Sequence, residues 1–112
     1  MMSTIREDYV LKQIERIGEL ITLALGFKAS GKTDHALMTV DAGLDELLGE
    51  ERELLEMADV QTAARLIADP KKIKAYADLL STKMKFVENS KHRSFLESRS
   101  QTLFDEVTMM SN

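Results

Sequence analysis

Along residues 10–24 the apolar positions Val10, Ile14, Ile17, Ile21 and Ala24 recur at alternating intervals of four and three, with Leu20, Leu23 and Phe27 widening the stripe. That interval is the period of an α-helix, and a half-buried strand would alternate every second residue instead. The same spacing returns at Leu37, Val40, Leu44, Leu47 and Leu48, and again at Ile73, Tyr76, Ala77, Leu80, Met84 and Val87. One proline and five glycines interrupt it, and no stretch alternates long enough to suggest a strand. An all-α chain is the expectation.

The boundaries follow from the capping residues. A first helix is predicted over about Asp8 to Phe27 with Asp8 at its cap, and a second over Thr33 to Leu48 with Thr33 or Asp34 at its cap. Gly49 closes the second helix. Short turns are expected at Glu51 to Met57 and Val60 to Ile67. Asp69-Pro70 then opens a helix to about Asn89, an N-cap followed by proline at the first helical position. A last helix runs from His92 to Met109, with Phe95, Leu96, Leu103, Val107 and Met110 as its stripe. The architecture predicted is an antiparallel bundle of four long helices plus short connecting ones. It forms one domain over residues 1–112, with residues 1–6 and 110–112 frayed.

At 112 residues with 44% hydrophobic and 30% charged side chains, the chain is long enough for one real core. No cysteine is present, so neither a disulfide framework nor a thiolate metal site is available. The N-terminal MMSTIREDYV lacks the apolar run of a secretory signal, and no run of about 18 apolar residues occurs. A cytoplasmic protein without a membrane span is expected. The net charge of −4 argues against nonspecific nucleic-acid binding. That total conceals a gradient: residues 33–59 carry −8, with Arg52 their one base, whereas residues 71–99 carry +5. Such a gradient is read as solvated helix faces or as a bipolar surface for a partner or a second copy.

The stretch GFKASGKT, residues 26–33, matches the phosphate-loop pattern G-x-x-x-x-G-K-[ST], with Gly26, Gly31, Lys32 and Thr33 in the defining places. The motif works where a strand delivers the loop and successive N–H groups surround the phosphates. Leu20 to Leu25 passes for a strand when read alone, yet it continues the helical spacing begun at Val10. Helix, joint, helix is therefore the reading, with nucleotide binding through Gly26, Gly31, Lys32 and Thr33 as the alternative. What precedes Gly26 decides between them.

With a helix on each side of that joint, Ile17 to Leu48 resembles one tetratricopeptide repeat. Leu20, Leu23, Ala24 and Phe27 stand at its first-helix positions, Gly31 in its turn, and Ala36, Val40 and Gly43 on its second helix. Thr33 stands where an aromatic is usual, Gly43 where alanine is usual and Leu48 where proline usually closes the repeat. The start Asp8-Tyr9-Val10-Leu11-Lys12-Gln13-Ile14-Glu15 also resembles an uncharacterised bacterial family of small helical proteins. The repeat resemblance implies a protein-binding inner face on the first helix, which falls on Gly18, Ile21, Leu25, Lys28 and Ala29. Ile21 and Leu25 are too apolar for water: either a later helix covers them or they form a groove for a partner helix or a second copy.

Other constellations are thin. His35 beside Asp34 reads as an exposed first-turn histidine, and His92 follows Glu88 by four residues across the Asn89-Ser90 break. Asp41 and Asp45 share a helix face, as a solvated acidic surface or a cation site. Two histidines with no elbow motif do not make a Ser/His/Asp centre. A non-catalytic interaction module is expected, with no cofactor or metal and a partner surface including Ile21, Leu25, Lys28, Asp41 and Asp45. Its partner would be another protein or peptide, including a basic peptide on the acidic second helix, or a second copy, and neither nucleic acid nor membrane.

Overall fold

The computed structural model describes the backbone of residues 2–111 and the side chains of residues 8–110. Its regular structure is entirely helical: α1 (Met2–Ala29), α2 (Thr33–Leu48), a 3₁₀ turn (Gly49–Glu51), α3 (Arg52–Met57), α4 (Val60–Ile67), α5 (Pro70–Met84) and α6 (Ser90–Ser111). The extents are 46 × 26 × 26 Å. The long axis is set by α1, whose 28 residues span about 42 Å at 1.5 Å each. The expectation of frayed ends at residues 1–6 and 110–112 falls mostly on side chains outside those described.

Two helix starts differ from the sequence reading. α1 begins well before Asp8, which is exposed within the helix and caps nothing, because no breaker stands between Met2 and Asp8. At α2 the N-cap position belongs to Lys32, which makes no side-chain cap bond; Thr33 and Asp34 are already helical. The cause is the end of α1. Lys32 N–H donates to Phe27 O at 2.8 Å and Gly31 N–H to Lys28 O at 3.0 Å, with Gly31 at φ 77°. This is a Schellman closure, in which a left-handed residue satisfies the last carbonyls of a helix. It consumes Ser30 and Gly31, so Lys32 alone remains to cap α2.

α5 starts as Asp69-Pro70 predicts: Asp69 Oδ1 accepts from Lys71 N–H at 2.8 Å, and Pro70 takes the first helical position. It ends at Met84, five residues short of Asn89, with Lys85 and Phe86 in a turn. Two side chains hold that earlier end. Asn89 Oδ1 accepts from His92 N–H at 3.0 Å and caps α6, which therefore starts at Ser90 and not His92. Arg93 grips Val87 O through Nε at 3.1 Å and Nη2 at 2.7 Å. The carbonyl of Val87 is thus taken by a side chain, outside any helical ladder.

α1 and α2 run in opposite directions, since Phe27 lies against His35 at 5.4 Å between ring centroids while Gln13 Nε2 donates to Glu46 O at 3.0 Å. α5 packs against both, and α6 lies along α5. The core they enclose centres on Tyr76, Ile17, Leu44, Ile73, Leu79, Leu103 and Val40, each under 2% exposed. Leu55 of α3 and Ala63 and Ala64 of α4 join it from the side. Burying a leucine or isoleucine contributes about 1.5–3 kcal/mol, so these few residues account for much of the driving force.

Candidate interaction surface

GFKASGKT is divided between the two helices. Gly26, Phe27, Lys28 and Ala29 lie in the last turns of α1, Ser30 to Lys32 make the joint, and Thr33 opens α2. Helix therefore precedes Gly26. The N–H groups of Ser30, Gly31 and Lys32 point back to Gly26, Phe27 and Lys28 carbonyls. A phosphate cradle needs such groups free and facing a ligand. Among the described residues there is no strand to deliver the loop.

The five residues expected to make a partner surface are not one patch. Ile21 is half-buried and packs against the core, whereas Leu25 is 39% exposed and Lys28 lies in solvent. Packing within the chain thus covers Ile21 in part and leaves Leu25 to solvent. Leu11, at 46%, continues the exposed side seven residues per step through Gly18 to Leu25. Around Gly18 a side chain would meet nothing within 4 Å.

Asp41 and Asp45 belong to a different feature, on α2. Arg52 donates Nη2 to Asp41 Oδ1 at 3.1 Å, Nη1 to Asp45 Oδ1 at 2.9 Å and Nε to Glu56 Oε1 at 3.1 Å. Arg52 Nη1 also reaches Asp41 O at 3.2 Å, and Lys83 Nζ lies 3.4 Å from Asp41 Oδ1. Burial on its own would lower the Arg52 pKa; its hydrogen bond to Asp45 and the charge of Glu56, with the bonds to Asp41 and Glu56, outweigh it and hold the guanidinium above its ordinary value. A cation does sit on this acidic pair, and it is the chain's own arginine. Among the described residues no group of three or more His, Cys, Asp or Glu side chains is placed to hold a metal ion.

No family model matches the chain, and no curated protein or solved structure is found to be similar to it. The local chemistry therefore carries the functional argument. No described helix is long and apolar enough to cross a membrane.

Two features escaped the sequence reading. Arg99, 6% exposed, points from α6 into the side of the molecule, donating to Leu55 O at 2.7 Å, Ala58 O at 3.0 Å and Tyr76 Oη at 3.3 Å. It caps the end of α3, a helix too short to satisfy its own carbonyls. In sequence it is one more base in a basic run. The second is a cleft of about 360 Å³ lined by Leu47, Leu48, Leu55 and Ile67, with Glu50, Glu51 and Lys72 among its polar walls. It needs α2, α3, α4 and α5 together, which no local pattern specifies.

Proposed function

We propose that this protein is a non-catalytic interaction module, in which α1, α2, α5 and α6 act as an antiparallel bundle and α1 with α2 as its tetratricopeptide-like pair. Partners dock on the outer side of α1. The observation that carries this reading is the exposure of Leu11 and Leu25, at 46% and 39%, on a helix that already supplies Ile17 and Ala24 to the core. A helix with one buried face has no folding need for a second apolar row. Supporting the pairing, α1 and α2 pack against one another, and Ala24 of the one and Ala36 and Val40 of the other are fully buried, as a small-residue crossing of the two would have them.

The test is capture from a native cell extract by wild-type protein and by Leu11→Glu and Leu25→Glu, each checked for folding by circular dichroism. Loss of the captured proteins in the folded variants supports the reading, and capture unchanged in both overturns it. Nucleotide binding through Gly26, Gly31, Lys32 and Thr33 is tested separately by thermal shift with ATP, GTP and magnesium. A site filled at 100 times its Kd would stabilise by about 2.7 kcal/mol. No shift is expected; one that Lys32→Ala abolishes would reinstate the phosphate loop.

A further inference from the structure

We infer that residues 49–68 form a hinged flap, which swings off the long helices as one unit and opens the cleft beneath it. The long helices hold together without it: α1 packs against α2 and α5, α2 against α5, and α5 against α6. In contrast, α3 and α4 join from the side, and among the described residues neither packs against α1. The ends of the segment are its joints. Among the described residues the backbone has positive φ at Gly31, Gly49 and Ala68, and the last two bracket α3 and α4. Glycine turns freely at such a position, whereas a left-handed alanine persists only while the contacts around it hold it there. Freeing the segment releases that strain, so Ala68 favours opening.

The contacts that hold the flap shut are few. Leu55 is its one large side chain that is buried, while Leu54, Met57 and Leu66 stay outside. α4 supplies Ala63 and Ala64, which bury little area each. The cleft lies between Leu55, Leu66 and Ile67 of the flap and Leu47, Leu48 and Lys72 of the long helices, so the two surfaces forgo the attraction of close packing there. Two arginines supply the polar hold. Arg52 reaches Asp41 and Asp45 on α2 in a partly exposed cluster, and Arg99 of α6 holds Leu55 O and Ala58 O. Opening strands neither charge: Arg52 enters water with Glu56 beside it on α3, and Arg99 keeps Tyr76 Oη on α5. It uncovers Leu47 and Leu48, which are buried in the closed form, and so controls access to the core at the end of α2.

Native-state hydrogen exchange in graded urea tests this. The N–H groups of Ala58, Ala63 and Ala68 donate to Leu54 O, Asp59 O and Ala64 O. In the wild type the three should share one opening free energy and one urea slope, both smaller than those of the core amides of α2 and α5. Ile17→Val, in α1, should speed the α2 and α5 amides about fivefold and leave those three unchanged, because α1 stays packed in the open form. Ala68→Gly should slow exchange at Ala58 and Ala63 about fivefold, by removing the strain that opening releases. A common free energy and slope for the flap and the long helices, or an Ile17→Val effect of equal size on both, overturns the flap. Unrelated rates without urea dependence at the three alanines overturn its movement as one unit, and exchange unmoved by Ala68→Gly overturns Ala68 as a joint.

Discussion

The Cδ2 atom of Leu79 lies 2.8 Å from the point where a Cβ on Gly43 would stand. Leu79 is fully buried, so it has little freedom to move aside. Gly43 is thus the contact that lets α2 and α5 close on one another. Alanine there gains about 0.5–1 kcal/mol of helix propensity and meets an overpacking cost of about 1–3 kcal/mol. Gly43→Ala is expected to lower stability by about 1 kcal/mol in urea unfolding, and adding Leu79→Ala should remove that penalty relative to Leu79→Ala alone. Gly26→Ala, with open space around it, should instead stabilise.

Arg99 holds three oxygen atoms from two segments, Leu55 O and Ala58 O at the end of α3 and Tyr76 Oη on α5. Arg99→Ala strands them in a mostly dry site and should cost about 2–4 kcal/mol. Lysine should recover little of this, because one ammonium cannot reproduce a planar fork. Tyr76→Phe, which removes one partner, should cost about 1 kcal/mol. Chemical denaturation of the three variants checks the order.

The Arg52 cluster is more exposed, its Asp45 side chain by 70% and Asp41 by 46%. Screening limits each pair to about 1 kcal/mol or less, so Arg52→Met is expected to cost about 1–2 kcal/mol at low salt. That difference should shrink by at least about half in 1 M sodium chloride, where the Debye length falls to about 3 Å. The Arg99 variants should show no comparable salt dependence, since their site is buried.

Ala68 is a non-glycine residue at φ 67°, ψ −44°, with Asp69 N–H donating across it to Ile67 O at 2.8 Å. That is the strained hand of a γ-turn. The strain is about 1–3 kcal/mol for alanine, and glycine relieves it at a smaller cost in chain entropy. Ala68→Gly should raise stability by about 1 kcal/mol, moving the denaturation midpoint without changing the m-value.

Asp59 stands at the N-cap position of α4, where the Thr62 hydroxyl, then the Thr62 N–H and the charge of Arg65, bring its pKa below the ordinary 3.8. A depressed carboxylate contributes stability above its unfolded pKa and loses it as pH falls through the folded value. Asp59→Asn should therefore be less stable than wild type at neutral pH. Thermal melts across the acid range should show the two converging once the pH has fallen through the folded value.

Where the determinants are neighbours in sequence, they were legible. α2 spans the residues that its spacing predicts, the turn expected at Val60 to Ile67 forms the short helix α4, Gly49 closes α2 at φ 60°, and Asp69-Pro70 opens α5. The all-helical class follows from the same three-and-four spacing, because a helix is made by contacts within one turn. Where the determinants are distant, local pattern failed. The position of Lys32 as cap depends on how α1 ends, and the end of α5 on Asn89 and Arg93 being engaged elsewhere. The pairing of Arg52 with Asp41 and of Arg99 with Ala58 joins residues 11 and 41 apart. Composition shows that these charges exist; it does not show that one neutralises an acidic face and another is buried as a cap. The same holds for α1. Its apolar residues read as one broad stripe until packing against α2 and α5 divides them, taking Ile17 and Ala24 inside and leaving Leu11 and Leu25 in water. Periodicity alone specified the helices, and the way they pack decided which of their faces remain in solvent.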